Sequence, residues 1–190
     1  MSFSDLHSVA DAVRTCQECP LGRLRTQAVP GYGGAASGVM LIGEAPGQNE
    51  DKQGRPFVGR AGDLLNRGLL AAGWRRQDVY VTNTVKCRPP GNRDPLPEEV
   101  SSCAKYLLAE KAILRPRMII LLGRHALASV RPDWRISEVH GQVWHDDGQM
   151  YFASYHPAAA LYSPALVDTF INDLVAAKAI LDMLDYCAQD

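Results

Sequence analysis

Four short apolar runs, each followed by a helical pattern, govern what this chain can fold into. VMLIGEAP (39–46), VYVTNTVKC (79–87), RMIILLG (117–123) and QMYFASYHP (149–157) read as buried strands. The first is followed by GRAGDLLNRGLLAAG (59–73), with Leu64, Leu65, Leu69 and Leu70 at helical spacing and a stop at Gly73. The second leads into PLPEEVSSCAKYLLAEKAIL (95–114), a helix opened by Pro97 with Glu98 and Glu99 in its first turn, where the helix dipole favours acids. The third precedes the short helix RHALASV (124–130), and PALVDTFINDLVAAKAILDMLDYC (164–187) closes the chain. An amphipathic helix also opens the chain, in MSFSDLHSVADAVRTC. Strand–helix alternation of this kind predicts a mostly parallel sheet with helices on both faces.

The length, 190 residues, suits one domain spanning 1–190 and is enough to bury a real core. No repeat, linker or low-complexity segment interrupts it. A formal net charge of -1 argues against a globally basic nucleic-acid binder, so any basic surface must be local. Arg greatly outnumbers Lys, which leans toward phosphate partners. The first residues lack a continuous apolar segment of the signal-peptide kind, and no apolar run approaches the roughly 20 residues needed to span a bilayer. A cytoplasmic monomer without a membrane partner is expected, with its thiols reduced.

In open parallel sheets, ligands sit outside the carboxyl ends of the strands. Those ends carry GEAPG, TNTVKC, LGRHA and SYHPAAAL, so Glu44, Asn83 and His156 should converge there. Singly, each has a bland reading as a solvated Glu, a turn-capping Asn or a loop His. Together, at the one edge where such folds bind ligands, they make a candidate site.

Cysteines form a second constellation. Cys16 and Cys19 make a C-x-x-C, and Cys87 and Cys103 have 15 residues between them, fencing a stretch rich in Pro, Gly and Arg. In a reducing compartment such a set suggests metal binding rather than disulfides. Four thiolates hold either zinc or an iron-sulfur cluster. A zinc ribbon usually shows two close C-x-x-C knuckles; the wide second pair fits a larger object, a [4Fe-4S] cluster. Cys187 is left over and reads as a helix-packing residue.

These motifs, in this order, resemble the family 4 (iron-sulfur) uracil-DNA glycosylases. The resemblance is carried by CQECPLGRLRTQAVPGYG, GEAPGQNEDKQGRPFVGRAGDLLN, VYVTNTVKCRPPGNRDPLPEEVSSC, PRMIILLGRHA and SYHPAAAL, and so covers nearly the whole chain. It implies a three-layer α/β/α sandwich with a central four-stranded, mostly parallel sheet. It implies a DNA repair enzyme that takes uracil-containing DNA, flips the uracil out and releases it as the free base. It puts the cluster ligands on Cys16, Cys19, Cys87 and Cys103, with the cluster as a staple that holds the intervening loop, Arg88 and Arg93 included, near the DNA backbone.

The same resemblance assigns the pocket. Phe57 of GRPFVG would stack on the flipped base, and Asn83 would read its edge. His156 would donate to uracil O2 as negative charge develops there, aided by the backbone amides of Gly43, Glu44 and Ala45. Family 1 enzymes carry Asp where this chain has Ala45, so water activation falls to a nearby carboxylate: Glu44 is expected as the base, Glu50 as a pocket wall against the thymine methyl, with Asp51 close by. Leu161 would wedge into the base stack. Tyr162 departs from the basic residue usual after that Leu. The loop 87–100 has no His, so the covalent trapping of a related class is not expected. Two other readings stay open: a non-catalytic DNA- or uracil-binding module of the same fold, and a nucleotide-binding enzyme using GEAPG as a phosphate loop. No Walker Lys-Ser/Thr follows that loop.

Overall fold

The structure, a computed structural model, describes residues 3–187. In chain order its elements are α1 (Leu6–Thr15), α2 (Leu21–Leu24), β1 (Tyr32–Gly33), β2 (Val39–Gly43), α3 (Gln48–Gln53), α4 (Arg60–Ala71), β3 (Tyr80–Asn83), α5 (Pro97–Leu114), β4 (Met118–Leu122), α6 (Arg124–Ala128), α7 (Ile136–Val139), β5 (Val143–Asp146), β6 (Gln149–Ser154), α8 (Pro157–Ala160) and α9 (Pro164–Cys187).

The sheet order is β1-β3-β2-β4-β6-β5. Its four central strands are mutually parallel, with Gly43 opposite Asn83 and Leu122 opposite Ser154. This is the expected four-stranded core. Two short antiparallel edge strands, β1 and β5, widen it to six. The sequence reading omitted both. A signal for β5 was present: Asp147-Gly148 joins it to β6, and both residues have positive φ, as a tight two-residue hairpin requires.

Helices cover both faces, so the central strands are apolar on both sides. Leu41, Ile120 and Leu122 point toward α4 and α9, where Leu65, Leu69, Phe170 and Leu174 meet them. Ile42, Ile119 and Leu121 point the other way, toward Leu107 of α5 and Leu127 of α6. A third cluster joins α1 to α5: Val9, Val13, Leu21 and Tyr106 pack around Cys87 and Cys103. Among the described residues, no helix is long and apolar enough to cross a membrane.

The chain runs from β2 to β3 on one side, then to β4 on the other. The strand order therefore reverses at β2. A crevice must open beyond the carboxyl end of that strand, beside β3 and β4.

Candidate functional site

The crevice is there. A cavity of about 340 Å³ opens past the ends of β2 and β3, lined by Glu44, Ala45, Glu50, Phe57, Asn83 and His156 among others. Seven residues singled out in the sequence, these six and Arg93, thus share one space.

Asn83 is the last residue of β3 and only 2 % exposed. Its Oδ1 is buried without a hydrogen-bond partner. The turn that follows is stitched to the end of β2. The Thr84 amide donates to the Gly43 carbonyl at 3.0 Å and the Val85 amide to the Glu44 carbonyl at 3.2 Å. The Thr84 hydroxyl adds a 2.6 Å bond to the Glu44 carbonyl. This stitching ends the strand at Asn83, short of the Cys87 that the apolar run suggested.

Gly43 lies under both the amide and the aromatic ring. A Cβ there would stand 2.5 Å from Asn83 Oδ1 and 2.6 Å from Phe57 Cζ, so the close approach needs glycine. Phe57 itself has φ +54°, a strained conformation for an aromatic residue. Glu50 holds that strain in place. Its carboxylate accepts from the amides of Val58 and Gly59, both at 2.9 Å, and from Gly47 at 3.1 Å. Glu50 therefore lines the cavity while one carboxylate oxygen holds the Phe57 loop and the other caps the start of α3. Asp51 is likewise structural, accepting from the Thr26 amide at 2.9 Å.

His156 caps α8. The Ala158 amide donates to its Nδ1 at 3.1 Å, which fixes the neutral ring with its proton on Nε2. Burial, helped by the neighbouring His125, pushes this imidazole down to about 4. Nε2 is buried and unpartnered. The site thus holds a neutral N–H donor and an amide oxygen, both without protein partners, in a buried space. Unmet buried polar groups are uncommon and ask for a ligand.

Glu44 sits at the rim. Burial raises its carboxyl above the usual range and Asp94 adds to the rise, while His125 and Arg124 oppose it. His125 Nε2 lies 3.6 Å from Glu44 and 3.2 Å from Asp94. His125 and Asp94 were not among the sequence candidates. Both lie on segments distant in sequence from Glu44; LGRHA put His125 at the same sheet edge, whereas no local pattern marks Asp94.

Leu161, at the end of α8, is half-buried against the main core, and Tyr162 beyond it is exposed. Arg93 is held by a carboxylate of the following helix. It forms a bidentate pair with Glu99 at 2.9 and 2.7 Å, and Glu99 also caps the Leu96 amide at 2.8 Å. Arg93 thus ties its loop to the start of α5. Arg88 donates to Asn92 at 2.7 Å on the exposed side.

Cys16, Cys19, Cys87 and Cys103 line one small cavity between α1 and α5. Cys87 and Cys103 are buried, and burial raises both thiols, Cys103 to about 11. Two donors reach the sulfurs: Arg25 Nη1 to Cys87 Sγ at 2.9 Å and the Lys86 amide to Cys103 Sγ at 3.3 Å. Among the described residues, no three of these sulfurs lie within 4.8 Å of one another. One tetrahedral zinc, with bonds of ~2.3 Å, would draw them to about 3.8 Å apart. Four thiols converging on one cavity could hold a metal centre. Cys187 is exposed at the end of α9, not packed as expected, because the helix outruns the core there.

Comparison with known proteins agrees with this geometry. Residues 30–176 match the model of the uracil DNA glycosylase superfamily. A type-4 uracil-DNA glycosylase of Saccharolobus solfataricus is 43 % identical, over 94 % of this chain and 88 % of its own. Those of Pyrobaculum aerophilum and Archaeoglobus fulgidus are 44 % and 43 % identical, each over 90 % of this chain and at least 90 % of theirs. The chain belongs to the uracil DNA glycosylase superfamily and, within it, to the type-4 family.

Proposed function

We propose that this protein removes uracil from DNA, hydrolysing the N-glycosidic bond and leaving an abasic site. The observation that carries the reading is the pairing of an unpartnered Asn83 amide oxygen with an unpartnered His156 N–H in one buried cavity. Uracil offers a donor at N3 and acceptors at O4 and O2. The Asn83 carbonyl accepts from N3–H and its amide donates to O4; cytosine, with the reverse pattern, meets like against like.

The base reaches the cavity only by leaving the duplex, and Phe57 gives its face a stacking surface. The C1′–N1 bond then breaks with its electron pair moving onto uracil. His156 Nε2–H stabilises the charge that develops on O2, and being already neutral it needs no change of protonation to do so. Glu44, with its raised carboxyl, takes a proton from the water whose oxygen bonds to C1′. Glu50 keeps Phe57 in its strained position. Leu161 fills the gap left in the stack.

Cys16, Cys19, Cys87 and Cys103 would hold a [4Fe-4S] cluster in this reading, supported by their convergence on one cavity and by the N–H donors that reach two of the sulfurs. Bound there, it would tie the two ends of the 87–103 loop together; hydrolysis needs no electron transfer. All of these groups belong to one domain, 1–190, which acts as a monomer in this reading.

The test is release of free uracil by the purified protein from a single-uracil oligonucleotide, single- and double-stranded. Accumulation of free uracil supports the reading. Tight binding without release would favour a non-catalytic binding module.

A further inference from the structure

Lys86 is gripped at both ends by one helix. Its backbone amide donates to Cys103 Sγ at 3.3 Å, and its ammonium donates to Glu110 Oε2 at 2.7 Å. Cys103 and Glu110 stand two turns apart on the same face of α5. The same ammonium donates to the main-chain carbonyl of Asn83 at 2.9 Å and to Thr82 Oγ1 at 2.5 Å. The Lys86 side chain is 1 % exposed and that of Glu110 0 %. Glu110 in turn accepts from the Thr82 and Tyr80 hydroxyls, at 3.0 and 3.1 Å, and from the Gly31 amide at 3.2 Å.

A buried ion pair is seldom the most stabilising way to fill such a space, since well-packed apolar residues often do as well. What it adds is direction. An ammonium with three fixed acceptors holds the carbonyl of Asn83 at one height and angle, where an apolar contact would let it slide. The peptide so held carries the amide that faces the cavity.

We propose that Lys86 and Glu110 are positioning residues for Asn83: through them α5, anchored at Cys103, sets the orientation of the base-reading amide. The inference rests on the reading of Asn83 given above.

The double variant Lys86→Met/Glu110→Gln removes the charges together, so neither is left buried alone. It should fold and keep the visible absorbance of the iron-loaded wild type. Uracil release should fall by about 10²-fold, as expected for misplacement of a recognition group by an ångström or so. Binding of an oligonucleotide carrying non-cleavable 2′-fluoro-deoxyuridine should weaken in step. The deciding readout is a double-mutant cycle with Asn83→Ala. If Lys86 and Glu110 act through Asn83, adding Asn83→Ala to the double variant costs little further. Full additivity, or wild-type release by the folded double variant, overturns the proposal. If the double variant does not fold, Thr82→Val removes one acceptor of the ammonium and leaves the pair intact; it should lose several-fold in release, again non-additively with Asn83→Ala, and additivity there overturns the proposal equally. Failure of the wild type to release uracil would instead defeat the glycosylase reading, and this inference with it.

Discussion

The Ala158 amide donates to Nδ1 of His156, and that single bond decides what the imidazole can offer the cavity. With Nδ1 occupied as an acceptor, the proton of the neutral ring sits on Nε2, the nitrogen that has no protein partner. His156→Ala should therefore lose ~10²–10³ in the rate of uracil release. KM should change far less, because the lost bond strengthens only as charge develops on O2. A single-turnover assay at saturating enzyme checks this; an unchanged rate would remove His156 from the chemistry.

Burial also sets the pH behaviour of that residue. His156 is pushed from about 6.5 unfolded to about 4 folded. Between these values the unfolded chain binds more protons than the folded one, so stability falls as pH drops through this window. At most about 3 kcal/mol is lost to this one group by pH 4. Urea midpoints of wild type and His156→Gln, compared from pH 7 to pH 4.5, should converge as pH falls. Parallel curves would show that His156 is not buried neutral.

Glu44 should control the acid limb of activity. Its carboxyl is raised by burial and must be ionised to accept a proton from water. Uracil release should rise with pH through a midpoint above the ordinary carboxylate range. Glu44→Gln should be slower by ~10²–10⁴ and lose that limb. A limb that persists in Glu44→Gln would assign the base elsewhere.

Gly43→Ala tests the packing beneath the pocket. The added methyl would meet Asn83 Oδ1 and the Phe57 ring at 2.5 and 2.6 Å, so one of them must move. Release should fall by about 10²-fold through displaced recognition groups. Near-normal release would show that neither contact is fixed in solution.

The cysteines divide cleanly. Cys103→Ser should lose iron and lower the thermal midpoint, because Cys103 is buried where α1 and α5 meet. Cys187→Ser should keep about four irons per chain and wild-type stability, since Cys187 is exposed. Iron assay and thermal unfolding of anaerobically purified protein check both.

Much of this site was legible in the chain because it depends on strand ends. Apolar runs placed β2, β3, β4 and β6, and the switch-point rule then put Glu44, Asn83 and His156 together before any contact was known. The positive φ of Phe57 was not legible: it is imposed by Glu50 and by close packing against α4, where a Cβ on Gly62 would stand 2.0 Å from the Phe57 carbonyl oxygen. Lys86 and Glu110 were missed for a similar reason. They are 24 residues apart, and only the packing of α5 on the strand ends makes them a pair. A Lys set between Val85 and Cys87 was the available clue, since lysine enters such a buried run only with a partner. The Arg93–Glu99 pair was not legible either, because its carboxylate lies across the turn into α5.

Base choice gives the most direct test. Asn83→Asp keeps the shape of the reader and removes its N–H donor, so a carboxylate oxygen faces uracil O4 with like polarity. An unmatched buried polar group costs ~1–3 kcal/mol, or roughly 5- to 150-fold. Release of uracil and of cytosine from matched oligonucleotides should be measured side by side for wild type and Asn83→Asp. Wild type should release uracil alone, and the variant should lose most uracil release and gain at most a trace of cytosine release. Wild-type uracil release by a folded Asn83→Asp would contradict Asn83 as the reader and the pocket built around it.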